Sequence, residues 1–159
     1  MKITLEVNKA NVYDEVAKTT AYVGSKVVGD EKAYDRIFTT DGDRQMLERF
    51  WVETCSAATS AFRGHLVSVS EQPESHGVEL DRHYRVELEA SSSFDETLKD
   101  SMGTCLFSYF VSSIVSKWCV FANKGEAELY GEQAEGFLSD VMRKLLYRKR
   151  PVRVKPSAV

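Results

Sequence analysis

The segment from Asp100 to Asn123 is the most apolar stretch of the chain, and it constrains the fold more than any other feature. At helical spacing it forms two adjacent apolar rows. These rows consist of Met102, Leu106, Phe110, Ile114 and Trp118, and of Phe107, Val111, Val115 and Ala122. Together they make a face wider than a surface helix needs. The pattern therefore predicts a helix at the centre of a helical core.

The narrow side of this helix carries small hydroxyl residues. Thr104, Ser108, Ser112 and Ser116 follow one another at intervals of four. Side chains of this size allow a neighbouring backbone to approach closely. We therefore expect a second helix to pack closest along this stripe, either from the same domain or from an adjacent subunit.

A stretch of about 20 mostly apolar residues is also long enough to span a bilayer. Lys117 and the hydroxyl row lie inside this one, however, and Asp100 abuts its end. There is also no second apolar segment and no basic flank of the kind that orients a membrane helix. The N-terminus, MKITLEVNK, has no apolar run of signal-peptide length. We therefore expect a protein made in the cytoplasm, with no membrane partner.

Alternation and helical periodicity divide the rest of the chain into short elements. Residues 2–7 alternate polar and apolar side chains, which predicts a strand, and residues 66–90 predict a hairpin around the loop QPESHG. Helical patterns begin near Asn11 and cover residues 41–62 and 126–147. We predict an α+β, mainly helical domain over residues 1–147. It has about four helices around the apolar one and a small antiparallel sheet made of the hairpin and the N-terminal strand.

Residue types at the helix ends predict particular caps. Asn11 is interpreted as the N-cap of the first helix, with Asp14 and Glu15 in its first turn. Gly64 is interpreted as the C-cap of the second helix. Ser93 and Glu96 have the spacing of a capping box before the apolar helix. The buried stripe of the second helix is predicted to be Leu47, Phe50, Trp51, Thr54, Ala58, Ala61 and Phe62.

No motif predicts the chemistry of an active site. The three cysteines show no CxxC spacing and the three histidines have no acidic partner that the sequence can name; they are Cys55, Cys105, Cys119, His65, His76 and His83. Asp41-Gly-Asp43 lacks the repeated oxygen ligands of a calcium loop, so helix capping explains it better. A phosphate loop, GxSxG and HExxH are absent from the sequence. We predict a protein that is not an enzyme and has no catalytic, cofactor or metal site.

Charge is distributed unevenly along the chain. The segment 141–159 has seven basic residues and no acidic one, so its formal charge is +7. The formal charge of the first 140 residues is therefore −10, which gives −3 for the whole chain. Pro151 and Pro156 exclude further helix, which predicts that residues 148–159 form an extended basic arm reaching away from the body. Three interpretations remain open: a solvated tail, a phosphate-binding arm, or an arm that docks on a partner protein.

The order of the helices resembles a known family of structural proteins. The segments TTDGDRQMLERFWVETCSAATSAF, SSIVSKWCVFANK and AELYGEQAEGFLSDVMRKLLYRKRPVR are similar to the opening helix, central helix and last helix with tail of one family. That family is the head–tail connector, or adaptor, proteins of tailed bacteriophages. The resemblance covers about residues 39 to 153 and lies in patterns of residue type.

This resemblance implies a virion protein of the phage neck with no catalytic residue. It implies a ring of twelve subunits between the portal protein and a tail or neck protein, with DNA passing through the channel without specific binding. By position, the C-terminal arm would dock on the portal; its docking residues would be Arg148, Lys149, Arg150, Pro151, Val152, Arg153 and Lys155. The alternative function is a small nucleic-acid-binding or regulatory protein that uses the same tail.

Overall fold

The computed structural model describes residues 1–25, 41–69, 83–121 and 124–152. Its strands and helices, in chain order, are β1 (Lys2–Asn8), α1 (Lys9–Ser25), α2 (Asp41–Ala61), β2 (Leu66–Val69), β3 (His83–Glu89), α3 (Lys99–Cys119) and α4 (Lys124–Leu145). Short 3-10 helices precede β2 and α3. These elements confirm the predicted mainly helical α+β fold, with four helices and a small antiparallel sheet.

The sheet has the strand order β1-β3-β2, and both neighbouring pairs are antiparallel. The apolar side chains of β1 and β3 point to one buried face, in the pairs Ile3↔Leu88, Leu5↔Val86 and Val7↔Tyr84. Alternation predicted this face because a strand directs successive side chains to opposite sides. The predicted loop at residues 72–77 and the first part of the predicted second hairpin strand lie outside the described residues.

Helix α3 lies in the core, as its apolar rows predict. Met102, Leu106, Phe110 and Ile114 are fully buried. The ring of Phe110 lies 5.0 Å from that of Trp51 and 5.1 Å from that of Tyr84. These contacts join α3 to α2 and to the sheet; Trp118, the last member of the row, is half-buried and packs edge-on against Phe50.

Helices α3 and α4 pack side by side in opposite directions. Ser116 Oγ near the end of α3 donates a 2.7 Å hydrogen bond to the Ala127 carbonyl near the start of α4. Lys144 Nζ near the end of α4 donates to Ser101 Oγ near the start of α3, at 2.6 Å. The second helix predicted along the hydroxyl stripe is therefore α4 of the same domain, in contact with Ser116.

The hydroxyl stripe itself does not stay on one side of α3. Residues four apart in an α-helix differ by about 40° around the axis, so Thr104 and Ser116 are about 120° apart. Ser112 is buried, whereas Thr104 is exposed and its hydroxyl donates a hydrogen bond to the Asp100 carbonyl of the same helix. The prediction of closest packing therefore holds at the C-terminal end of the stripe and not at Thr104.

Two helix starts differ from the predictions. Helix α1 begins directly after β1, and Asn8 Oδ1 accepts a hydrogen bond from the Asn11 amide. Asn8 is therefore the capping residue rather than Asn11, and the first turn contains no acidic residue. Before α3, Asp95 caps the short 3-10 helix Glu96–Leu98 by accepting from the Thr97 amide, so the expected Ser93–Glu96 capping box is not formed.

The end of α2 also differs from its predicted cap. The chain continues from Ala61 into the 3-10 helix Arg63–His65, in which the His65 amide donates to the Phe62 carbonyl at 2.8 Å. Gly64 lies inside this turn and does not adopt a left-handed C-cap conformation. The stripe predicted for α2 is buried except at Ala61, which is half-buried.

Polar side chains on α2 connect it to α1 and α3. Glu48 accepts from Lys9 Nζ at 2.7 Å and from the Tyr13 hydroxyl at 2.9 Å. Burial and the Glu48 carboxylate raise the pKa of Tyr13, so its hydroxyl remains a donor. Glu53 accepts from Lys117 Nζ of α3 at 2.9 Å. These partly buried contacts connect α2 to α1 and α3 at the edge of the core.

Candidate docking site at the C-terminal arm

The C-terminal arm begins where α4 leaves the core. Val141 and Leu145 are buried and hold the last turn of α4 against the body. The next two side chains, Leu146 and Tyr147, are exposed by 57% and 51%. Their amides still donate to the carbonyls of the preceding turn, at 3.1 Å each, so their backbone is ordered while their side chains face outward.

Lys149 attaches the start of the arm to the turn before α3. Its amide donates a 2.9 Å hydrogen bond to the Ser93 carbonyl, and its Nζ lies 3.7 Å from Asp95 Oδ1. Hydrogen bonds from the hydroxyl and amide of Thr97, assisted by Lys149, lower the pKa of Asp95. The arm therefore starts against the body, contrary to the expectation that it reaches away from residue 148 onward.

The predicted docking residues fall into three groups. Arg148, Arg150, Pro151 and Val152 are exposed, and among the described residues neither arginine has an ion-pair partner. Lys149 is also exposed, but its backbone is bound to Ser93. Arg153 and Lys155 lie outside the described residues. The structure thus brings together a fixed attachment point and two available guanidinium groups.

Exposed apolar side chains flank these cations along the chain. Leu146 and Tyr147 precede them, and Val152, which is 86% exposed, follows them. Leu146 is not among the predicted site residues, although the sequence contains a signal for its exposure: Leu145 and Leu146 are adjacent, and neighbouring positions of a helix differ by about 100°. One of the two must therefore leave the core face. Ser93 was predicted only as a helix cap and Asp95 not at all, because contacts of these two residues with Lys149 across the fold have no local sequence signal.

The remaining polar groups do not form a second candidate site. Within the four described ranges, no cluster of three or more His, Cys, Asp and Glu side chains could hold a metal ion. None of Cys55, Cys105 and Cys119 forms a disulfide bond, and burial raises the pKa of Cys119. His65 ends the 3-10 helix before β2, His83 begins β3 with its Nδ1 3.3 Å from Glu6 Oε1, and His76 falls outside the described residues. The arm is therefore the site with the clearest outward-facing chemistry.

Comparisons with known proteins add no relative to this picture. Searches against protein-family models, curated proteins and solved structures found no significant match to the chain. In the part of the chain that the structure describes, no helix is long and apolar enough to cross a membrane.

Proposed function

We propose that the protein is a structural virion component, a head–tail connector that forms a ring between the portal and a tail or neck protein. In this proposal it docks on the portal through its C-terminal arm and has no catalytic activity. It is made in the host cytoplasm and functions in the neck of the particle, where DNA passes through the ring without specific binding.

One observation carries the docking part of the proposal: the arm combines a fixed base with exposed cationic and apolar side chains. The Lys149–Ser93 hydrogen bond limits the directions in which the arm can leave the body. Leu146, Tyr147 and Val152 add apolar area beside Arg148 and Arg150. A protein interface uses both kinds of side chain, since its core is apolar and arginine is enriched there.

The layout of the helices supports the connector class. The three segments that carry the sequence resemblance coincide with α2, the C-terminal half of α3, and α4 with the arm. The negative charge over the first 140 residues is compatible with lining a channel for DNA, because like charges repel at close range.

Nucleic-acid binding is the second candidate, since the guanidinium groups of Arg148 and Arg150 are free to contact phosphates. Phosphate binding would depend on charge and weaken steeply with salt. Docking on a protein would depend on the apolar side chains as well. The two candidates therefore differ in their response to substitutions that remove one kind of side chain and keep the other.

Binding assays on two paired variants test this difference. One carries Leu146→Ser with Tyr147→Ser, and the other carries Arg148→Gln with Arg150→Gln; both change exposed side chains and are expected to keep the fold. We expect both to weaken binding to the portal protein at least tenfold in a pull-down or interferometry assay. Duplex DNA is the comparison ligand. If only the Arg variant loses binding, and the ligand bound is DNA with a steep salt dependence, the connector proposal is wrong.

A further inference from the structure

Strand β1 forms an edge of the sheet, and its hydrogen-bond pattern identifies the backbone groups that point away from β3. Among the described strands it pairs only with β3. Met1 and Ala90 exchange both backbone hydrogen bonds, at 2.8 and 2.7 Å. Hydrogen-bonded and non-hydrogen-bonded pairs alternate along an antiparallel ladder. Thr4 and Glu6 lie three and five positions after Met1, so they belong to non-hydrogen-bonded pairs of this ladder. Their N–H and C=O groups therefore point away from β3, toward the open edge.

A groove runs beside this open edge, between β1 and the first half of α3. Its volume is about 440 Å³, and its lining residues are Thr4, Leu5, Glu6, Lys99, Asp100, Gly103, Thr104 and Phe107. Gly103 leaves free space, since a Cβ atom added there would meet nothing within 4 Å. Phe107 supplies a partly buried apolar surface. The groove therefore has room for small apolar side chains next to strand backbone that no described strand pairs with.

The C-terminal arm carries a segment with matching chemistry. Residues 152–155 read Val-Arg-Val-Lys and are bounded by Pro151 and Pro156. Two β-branched residues alternate with two cations, which is the pattern of a short strand with one apolar face. Four residues in extended conformation span about 13 Å, enough to cover the edge from Thr4 to Glu6. In the single chain Val152 is 86% exposed, so the first residue of this segment does not occupy the groove of its own chain.

We propose that residues 152–155 of one copy add as a strand to the β1 edge of a neighbouring copy. Val152 and Val154 lie over Gly103 and Phe107, and Arg153 and Lys155 lie on the outer face near Glu6. The added backbone bonds to the outward groups of Thr4 and Glu6, as in other cases of strand addition. The contact is head-to-tail, so repeated around an axis it closes a ring. It rests on the ring of the proposed function; in the assembled ring Val152 faces the neighbouring copy, and Leu146, Tyr147, Arg148 and Arg150 remain for the portal.

Complementation between two defective variants of the full chain tests the proposal. Thr4→Pro removes an outward N–H without breaking the ladder to β3, as proline is tolerated where a strand N–H faces away from the sheet. Val152→Asp with Val154→Asp disables the arm and keeps the groove. Lys2→Pro is the matched control, since the Lys2 N–H also points away from β3 but Lys2 does not line the groove. Circular dichroism confirms that each variant is folded.

We expect the wild type and Lys2→Pro to associate beyond dimers as concentration rises in sedimentation velocity, and each defective variant alone to remain monomeric. An equimolar mixture of the two defective variants should give a dimer and nothing larger, because only one groove and one arm remain intact. Hydrogen exchange at the Thr4 and Glu6 amides should slow with association. A wild type that stays monomeric at its highest soluble concentration, or a mixture that stays monomeric, overturns the inference.

Binding to the portal protein separates this inference from the proposed function. If the portal assembles the wild type into rings while Thr4→Pro changes nothing, strand addition is wrong and the connector function stands. If complementation succeeds but the wild type does not bind the portal, strand addition stands and the connector function is wrong.

Discussion

Gly131 of α4 lies at a close contact with α3. A Cβ atom added to Gly131 would lie 3.3 Å from Ser116 Oγ. This hydroxyl has little freedom to move, because it donates a 2.7 Å hydrogen bond to the Ala127 carbonyl. Gly136 is one and a half turns further along the same helix, and a Cβ atom added there meets nothing within 4 Å. The two glycines therefore form a matched pair that differs in the presence of the neighbouring helix.

The expected free energies follow from this difference. Replacing glycine by alanine inside a helix stabilises by about 1 kcal/mol, partly by restricting the unfolded chain. Gly136→Ala should show this gain in full. In Gly131→Ala the new methyl group displaces the Ser116 hydroxyl, and loss of its hydrogen bond costs about 1 kcal/mol. We therefore expect Gly131→Ala to be neutral or slightly destabilising, a difference of about 1–2 kcal/mol between the two variants.

Urea unfolding monitored by circular dichroism measures both variants, alone and combined with Ser116→Ala. Once the hydroxyl is removed, Gly131→Ala should regain a stabilisation of about 1 kcal/mol, whereas Gly136→Ala should give the same gain in either background. The α3–α4 packing described above is wrong if Gly131→Ala stabilises as much as Gly136→Ala while Ser116 is intact.

Three further predictions concern the core and its polar contacts. Phe110→Ala removes a fully buried ring and should destabilise the fold by about 3–5 kcal/mol in urea unfolding, whereas Phe121→Ala, at a side chain that is 75% exposed, should change stability by less than about 0.5 kcal/mol. Hydrogen bonds from Lys117 and Arg49 lower the pKa of Glu53, so its contribution is present above the unfolded pKa and is lost as pH falls through the folded one. Glu53→Gln should therefore cost about 0.5 kcal/mol at pH 7, with solvent screening keeping the value small, and the gap to wild type should close in acid. Cys119, buried and with a raised thiol pKa, should react with an alkylating reagent only after unfolding, as mass spectrometry of labelled peptides can show; rapid labelling in the native state would contradict its placement.

The periodic parts of the fold were predictable from sequence because their signals extend over many residues. The apolar rows of α3 predicted its burial, and alternation predicted the inner face of β1 and β3. Each of these patterns repeats over several turns or pleats, so one exceptional residue does not change it. Trp118 and Ala61 are such exceptions, half-buried at the ends of otherwise buried rows.

Helix caps were less predictable because each depends on one residue and its backbone geometry. Asn8 and Asn11 are the same residue type three positions apart, and only the direct passage from β1 into α1 selects Asn8. Ser93 and Asp95 likewise compete as N-cap residues before α3, and the structure uses Asp95. The attachment of Lys149 to Ser93 joins two backbones more than 50 residues apart, so side-chain type gave no indication of it.

Assembly on the portal protein tests the connector proposal most directly. The measurement is mass photometry of the chain mixed with the portal protein, comparing the wild type with a chain that ends at Tyr147. We expect the wild type to give a ring-sized complex. The shortened chain should remain folded by circular dichroism and unbound, because the core side chains Val141 and Leu145 are retained while Arg148 and Val152 are lost. A wild type that forms no complex with the portal, or a shortened chain that still joins the ring, would contradict the proposal.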